Sequence, residues 1–466
     1  MRYVSTRGSA PTLGFDDVLL AGLARDGGLY VPKTWPRLSA SQWQKLAGQS
    51  YADIALRILK LYVGTAIPER ALGAMIEDSY RQFGHPAVVP LKQIGSNDWL
   101  LELFHGPTLA FKDVALQLVG RMFDHVLKKR RTRVTIVGAT SGDTGSAAIE
   151  ACRDRESIDI FILYPHGRVS EVQRRQMTTV PSANVHNIAV QGTFDDCQDL
   201  VKAMFNDIAF RDRMRLSAVN SINWARIAAQ IVYYAVAALR LGAPARKVAF
   251  SVPTGNFGNI FAAYAAQRMG LPISRFVVGS NSNDILFRLL DTGTMQMEQV
   301  SPTLSPSMDI QVSSNFERLL FELAGRNAKA VTAMMARFRA ERELTLPATQ
   351  RAKLGRLFSG ARADDAETMA MIRLTLAATG ELVDPHTAVG LVAAAAQRGD
   401  LAVPMITTAT AHPAKFPDAV EKACGVRPAL PPRLAGLMDK PERVTVLPNN
   451  LAAVQDFVAG KVRSAA

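Results

Sequence analysis

The chain reads as an α/β protein of parallel sheets flanked by helices, with an extra N-terminal α/β lobe. Three observations lead there. From Arg133 onward, strand-like and helix-like segments alternate at the spacing of βαβ units, which calls for a parallel sheet buried on both faces. Two of those strands run through a small polar, Gly-containing turn directly into a helix. The length of 466 residues exceeds what one hydrophobic core usually serves, so more than one packed lobe is expected.

In order along the chain, residues 1–95 form the N-terminal lobe, mixing short strand-like pieces with amphipathic stretches such as "ASQWQKLAGQSYADIALRILKLYVG", whose apolar residues recur at three- and four-residue steps. Residues 96–430 form the main region of two α/β lobes. There "RVTIVGA" is a β-branched strand, "GSAAIEACR" a helix, "IDIFILYP" a strand, "SEVQRRQMTTV" a helix, "NVHNIAV" a strand and "FDDCQDLVKAMFND" a helix. The long helix "INWARIAAQIVYYAVAALRLG" follows, then the strand "RKVAFSV" and the helix "IFAAYAAQRMG". Residues 281–365 are less regular and read as a mainly helical peripheral insertion, with helices in "MDIQVSSNFERLLFELAG" and "AKAVTAMMARFRAERE". Residues 431–466 are a C-terminal extension. Sheet order is not fixed by one sequence.

Composition narrows the function classes. Apolar residues make up 48% and charged residues 20%, the balance of a folded globular protein. No long uncharged apolar run and no secretory start appear, so no membrane association and a cytoplasmic location are expected. Cys152, Cys197 and Cys424 have neither metal nor disulfide spacing and are expected as buried thiols. No His/Asp/Glu cluster has metal spacing either, so no metal is expected. The net charge of +13 is spread along the chain, and its one short run, "KKRRTR", sits where a helix should end and where cations suit the dipole. Without a nucleic-acid-binding motif, this charge is a bias toward small anionic ligands rather than toward nucleic acid.

The two strand–loop–helix segments are anion-site candidates. "RVTIVGATSGDTGSAAIEA" carries the loop Ala139 to Gly145, and "KVAFSVPTGNFGNIFAAYAA" carries Gly255 to Asn259. Such loops lie at the carboxyl ends of strands, where free backbone N–H groups and the helix dipole attract anions. Ser141, Thr144, Asn256 and Asn259 can add side-chain donors. Neither loop has Walker or dinucleotide spacing. In "FHGPTLAFKD", Lys112 opens an amphipathic helix behind an apolar Leu-Ala-Phe. The dipole and desolvation there favour a neutral, nucleophilic amine, able to form a Schiff base with an aldehyde cofactor. Together the three features suggest pyridoxal 5'-phosphate, one loop for its phosphate and the other for an amino-acid carboxylate. Spacing does not say which loop takes which.

The segments "FHGPTLAFKD", "ATSGDTGSAA", "NSINWARIAAQIVYY", "VPTGNFGN", "DPHTAVG" and "TAHPAKFPDAV", with "YVSTRG" and "FDDVLLAGLARDGGLYVP" near the start, resemble in order the bacterial and fungal threonine synthase family. The resemblance spans nearly the whole chain and implies a fold-type II pyridoxal-phosphate enzyme, tryptophan synthase β-like. It implies conversion of O-phospho-L-homoserine and water to L-threonine and phosphate, the last step of threonine biosynthesis, by γ-elimination and β-addition of water, in a monomer or homodimer. By the same resemblance Lys112 is the Schiff-base lysine, Gly255, Asn256, Phe257, Gly258 and Asn259 hold the cofactor phosphate, and Thr410 faces the pyridine nitrogen. The segment from Thr140 through Ser141, Gly142, Asp143 and Thr144 then resembles the part that binds the substrate carboxylate.

A third anion, the substrate phosphate, needs a further cationic site. Ser221, Asn223 and Arg226 of "NSINWAR" are candidates, as are Lys415 and Arg168. His105, His386 and His412 are expected to serve turn geometry, and Asp143 to cap the helix that follows it. A serine/threonine dehydratase or phospholyase would share Lys112 and the cofactor loop but need neither the N-terminal lobe nor a second phosphate site. A non-catalytic nucleic-acid binder is the reading that the pI near 9.8 alone would motivate.

Overall fold

The computed structural model describes residues 1–217 and 221–463. Asn220, the first residue of "NSINWAR", and residues 464–466 of the C-terminal extension lie outside them. The chain divides into two compact units: Met1–Glu77 with His85–His105 and Ser221–Pro428, and Asp78–Gly84 with Gly106–Asn220 and Ala429–Ala466.

The second unit is built on a five-stranded, wholly parallel sheet in the order Thr445–Pro448, Val185–Gln191, Ile158–Pro165, Val134–Ala139, Leu216–Ser217. All eight residues of Ile158–Pro165 are buried, which explains why this strand reads as a continuous apolar run rather than an alternating one. Phe161, Leu163, Ile188 and Val190 form one core with Val454 and Val458 of the helix Leu451–Lys461. The C-terminal extension therefore supplies both an edge strand and a core helix. Two helices, Lys112–Lys129 and Asp143–Cys152, pack closely, because Gly120 lets the first approach the Ala151 carbonyl: a Cβ on Gly120 would stand 2.3 Å from that oxygen. The run at Lys128 does sit at a helix end, where Lys128 pairs with Asp124 (3.3 Å) and Glu156 (2.8 Å).

The first unit holds a six-stranded sheet in the order Phe358–Arg362, Ile273–Ser280, Val248–Pro253, Met405–Ala409, Asp98–Glu102, Leu91–Gln93, parallel except for the last pair. Helix Trp224–Arg240 is buried all round: every residue from Trp224 to Leu239 is buried, Arg226 and Gln230 included. Near the start, Tyr3–Ser5 pairs antiparallel with Tyr30–Pro32, and the predicted amphipathic stretch divides into Ala40–Gln44 and Tyr51–Val63, each opened by a serine cap at Ser39 and Ser50.

Three local expectations change. Within "MDIQVSSNFERLLFELAG" only Phe316–Leu323 is helical, since Ser313 and Asn315 spend their polar groups on the neighbouring loop. Segment 281–365 is not merely peripheral: it contains the antiparallel pair Thr294–Gln296 with Glu343–Thr345, whose strands are far apart in sequence, and near its end Phe358–Arg362, an edge strand of the main sheet. Cys424 is partly exposed, while Cys152 and Cys197 are buried. Among the described residues, no helix is long and apolar enough to cross a membrane.

Replacing Gly120 by alanine is expected to lower stability by about 1–3 kcal/mol, because the new methyl can be housed only by separating the two helices. Urea unfolding of Gly120→Ala against wild type measures it.

Candidate active site

The turn before Lys112 is held by Asp113. Its carboxylate accepts from the Thr108 backbone N–H and the Thr108 hydroxyl, both at 2.7 Å, and Asp113 is fully buried. Gly106 is required because a Cβ there would lie 2.3 Å from that of Asp113, and Leu109 takes a left-handed φ of 63° to complete the reversal. The Thr108 carbonyl accepts from Gln176 (3.2 Å) and the Gly106 carbonyl from Arg433 (2.6 Å). This explains why a His-Gly-Pro-Thr turn precedes the lysine.

Lys112 is the first residue of its helix and 8% exposed. Its Nζ donates to Asp143 Oδ2 at 3.2 Å and stands 5.3 Å from the Phe111 ring centroid. The amine is therefore placed as expected, but it has a counter-charge that the dipole argument did not include. Asp143 is not a cap, which corrects the reading of it as one. It is the first residue of its helix, Gly142 occupies the cap position without a side-chain bond, and the Asp143 carboxylate faces Lys112 and Gln173, whose Nε2 donates at 2.8 Å. Gln173 sits so close over Gly142 that a Cβ there would lie 2.4 Å from its Oε1, and Gly142 itself has φ 136°. No sequence pattern singled out Gln173.

In the same loop, Thr140 turns its hydroxyl back to accept from the N–H groups of Gly142 (3.0 Å) and Gly145 (2.9 Å). Ser141 is exposed and Thr144 half-buried; their N–H groups donate to no acceptor among the described residues.

In the first unit, Gly255–Asn259 is a loop with its carbonyls occupied and its amides open. Ser313 donates to the Gly255 carbonyl (2.7 Å), and the Asn256 carbonyl accepts from the backbone N–H (3.1 Å) and Nδ2 (2.9 Å) of Asn315. The N–H groups of residues 255–259 donate to no acceptor among the described residues, and they lie at the start of helix Gly258–Arg268. Phe257 takes φ 62°, and the space beside Gly255 is closed by the Ser307 carbonyl, 3.0 Å from where a Cβ would be. Asn259 accepts at Oδ1 from Tyr233 and from Tyr234 (2.7 Å), while its buried Nδ2 has no partner among the described residues. Open amides with an orphaned buried amide donor are what a phosphate group requires. Thr410 directly follows strand Met405–Ala409 and is 6% exposed.

Among the cationic candidates, Arg226 stands out. It is 3% exposed, and its Nε and Nη1 have no hydrogen-bond partner among the described residues. Burial lowers its pKa to about 10, Tyr233 partly opposing. Asn223 instead caps the arginine's helix, accepting from Ala225 (2.9 Å) and donating to the Leu19 carbonyl (2.8 Å). The Ser221 carbonyl accepts from Asn315 (3.3 Å). Lys415 is fully buried and Arg168 exposed. Two of the histidines bond within their own turns, His105 to Glu102 (2.7 Å) and His412 accepting from the Ala414 N–H (3.1 Å), whereas His386 joins Asp384 (2.7 Å) and also accepts at Nε2 from the distant Ser307 N–H (3.3 Å).

Three family models match this chain: "Threonine synthase N terminus" over residues 2–80, "Pyridoxal-phosphate dependent enzyme" over 86–344 and "Threonine synthase, C-terminal" over 387–458. A threonine synthase of Pseudomonas aeruginosa is 56% identical over 460 residues, covering 98% of each chain. The crystal structure of threonine synthase from Brucella melitensis with pyridoxal phosphate bound superposes with a TM-score of 0.98 at 54% identity over the whole of both chains. That of yeast gives 0.95 at 38% identity, covering 99% of this chain and 98% of the other.

Asp113→Ala strands the Thr108 donors in a buried turn and is expected to cost about 3 kcal/mol. The measurement is chemical denaturation; an unchanged midpoint would show the turn to be held by other bonds.

Proposed function

The chain belongs to the threonine synthase family of pyridoxal-phosphate-dependent enzymes, and from that premise we propose the role of each residue in converting O-phospho-L-homoserine and water to L-threonine and phosphate. The observation that carries the assignment is Lys112: a nearly buried amine at a helix start, held at 3.2 Å by a carboxylate from the neighbouring loop. When bound, the cofactor supplies an electron sink that acidifies the substrate's C–H bonds. Lys112 holds the cofactor through its amine and, once displaced by the substrate's own amino group, is the base that takes the α-proton. Asp143, steadied by Gln173, keeps the freed amine in place between proton transfers.

The amides of Gly255, Asn256, Phe257, Gly258 and Asn259 take the cofactor phosphate, with the spare Nδ2 of Asn259 as a further donor. The Thr410 hydroxyl faces the ring nitrogen; unlike a carboxylate, a hydroxyl does not strongly favour a protonated ring, which suits elimination chemistry. Ser141 and Thr144, on a loop fixed by Thr140 and Gly142, take the substrate carboxylate. Arg226 takes the substrate phosphate, because its buried guanidinium keeps two nitrogens, Nε and Nη1, unpartnered among the described residues and no carboxylate bonds them there. Asn223 and Ser221 shape the start of the helix that presents it. The same reading makes the protein a cytoplasmic enzyme, monomeric or homodimeric, without a nucleic-acid partner.

Incubation of the cofactor-loaded protein with O-phospho-L-homoserine is expected to release threonine and phosphate in equal amounts. Release of 2-oxobutyrate in place of threonine would instead make it a dehydratase. Arg226→Gln is expected to raise KM for this substrate roughly tenfold or more while the visible absorption of the bound cofactor stays as in wild type. An unchanged KM would move the substrate phosphate to other residues.

A further inference from the structure

On the far side of the lysine helix lies a recess that the reaction does not use. It is lined by Gln82, Gln117, Arg121, Glu150, Arg153, Asp154 and Arg155, all in the second unit, and has a volume of about 240 Å³. Gln117 and Arg121 follow Lys112 by five and nine residues, about 140° and 180° around the helix, so they face away from the reactive amine.

The polar groups of this recess do not balance one another. Arg153 takes both acids, bonding Glu150 at 3.1 and 3.4 Å and Asp154 at 3.3 Å. Arg121 has only neutral acceptors: the Gln117 carbonyl (2.8 Å), Gln117 Oε1 (3.1 Å) and the Asp78 carbonyl (3.2 Å). The Arg155 side chain bonds, among the described residues, only the Ala151 carbonyl, at 3.4 Å. Burial and the nearby charge of Arg155 together lower the Arg121 pKa to about 10, Asp78 pulling the other way. Gln117 is 1% exposed and its Nε2 has no partner among the described residues. Two guanidinium groups bonded only to neutral oxygens there, beside an orphaned buried amide donor, make a concave set of donors with no carboxylate bonded to them. Each of these costs is removed by one oxyanion.

We propose that this recess is a second anion-binding site, in which Arg121, Arg155 and the Nε2 of Gln117 hold the phosphate or carboxylate group of a small ligand. The ligand ties the lysine helix to the residues just after helix Asp143–Cys152, next to the tight Gly120–Ala151 approach. The recess is small and holds two acids already paired, so it fits a single small group rather than a nucleotide or a polyanion.

The test uses the cofactor-loaded full chain, titrated calorimetrically with inorganic phosphate and separately with acetate. Wild type is compared with Arg155→Gln, which loses one weak carbonyl bond, and with Gln117→Glu, which supplies the anion internally. Both variants should keep the visible absorption of the bound cofactor. Wild type is expected to show a binding class, for one anion or both, that weakens roughly tenfold or more in the variants; whichever anion shows it identifies the group recognised. In Gln117→Glu the melting temperature should rise and no longer respond to that anion. Wild-type-like anion binding by either folded variant, or no such class in the wild type at millimolar anion, would overturn the site.

Discussion

A loop whose N–H groups are left open has to have everything else about it already bonded, and in the first unit this constraint reaches far from Gly255–Asn259. The Gly255 and Asn256 carbonyls are taken by Ser313 and Asn315. Asn315 is held at its Oδ1 by Arg318, whose Nε donates to the Tyr30 carbonyl at 3.1 Å and whose third nitrogen donates to the Ile222 carbonyl at 2.5 Å. Arg318 is fully buried, with its charge 5.8 Å from the Trp224 ring centroid, and burial lowers its pKa to about 9. One side chain thus connects the N-terminal strand pair, the entry to helix Trp224–Arg240 and the anion loop. Glu317 beside it binds Thr6 (2.5 Å) and Arg7 (2.8 Å), which ties the N-terminal segment to the same helix. The N-terminal segment of this family is therefore, in this chain, part of the scaffold of the loop.

The second unit solves the opposite problem. It must hold a lysine amine in place at a nearly buried helix start, where few waters are left to bond it. Asp113 folds the preceding turn onto the helix, Asp143 supplies the counter-charge and Gln173 fixes Asp143. An amine so held is ordered before any ligand arrives, and most of the entropy of positioning it has been met in folding.

Much of this was legible because the dominant signals were periodic or punctuated. The alternation from Val134 to Asn206 shows the helices and strands, since a six-residue apolar run such as Ile160–Pro165 has few other uses. The two turns with glycine before a helix were recognisable from backbone requirements alone. What stayed hidden depends on partners distant in sequence. Asp143 resembles a cap until Lys112, 31 residues earlier, is placed beside it, and Gln173, Asn315 and Arg318 lie in segments with no motif. Strand Phe358–Arg362 is short and half polar, so only its pairing with Ile273–Ser280 reveals it. Cys424 is the last residue of a short helix and packs at the margin of the core that holds Val420 and Ala423, a position composition does not reveal.

The most direct test of the central claim, that Lys112 is the residue bearing the cofactor, is borohydride reduction of the pyridoxal-phosphate-loaded protein followed by peptide mapping. The account predicts a single modified peptide with the cofactor's mass on Lys112, and no fixed label in Lys112→Ala. A label on any other lysine, with Lys112 unmodified, would contradict it.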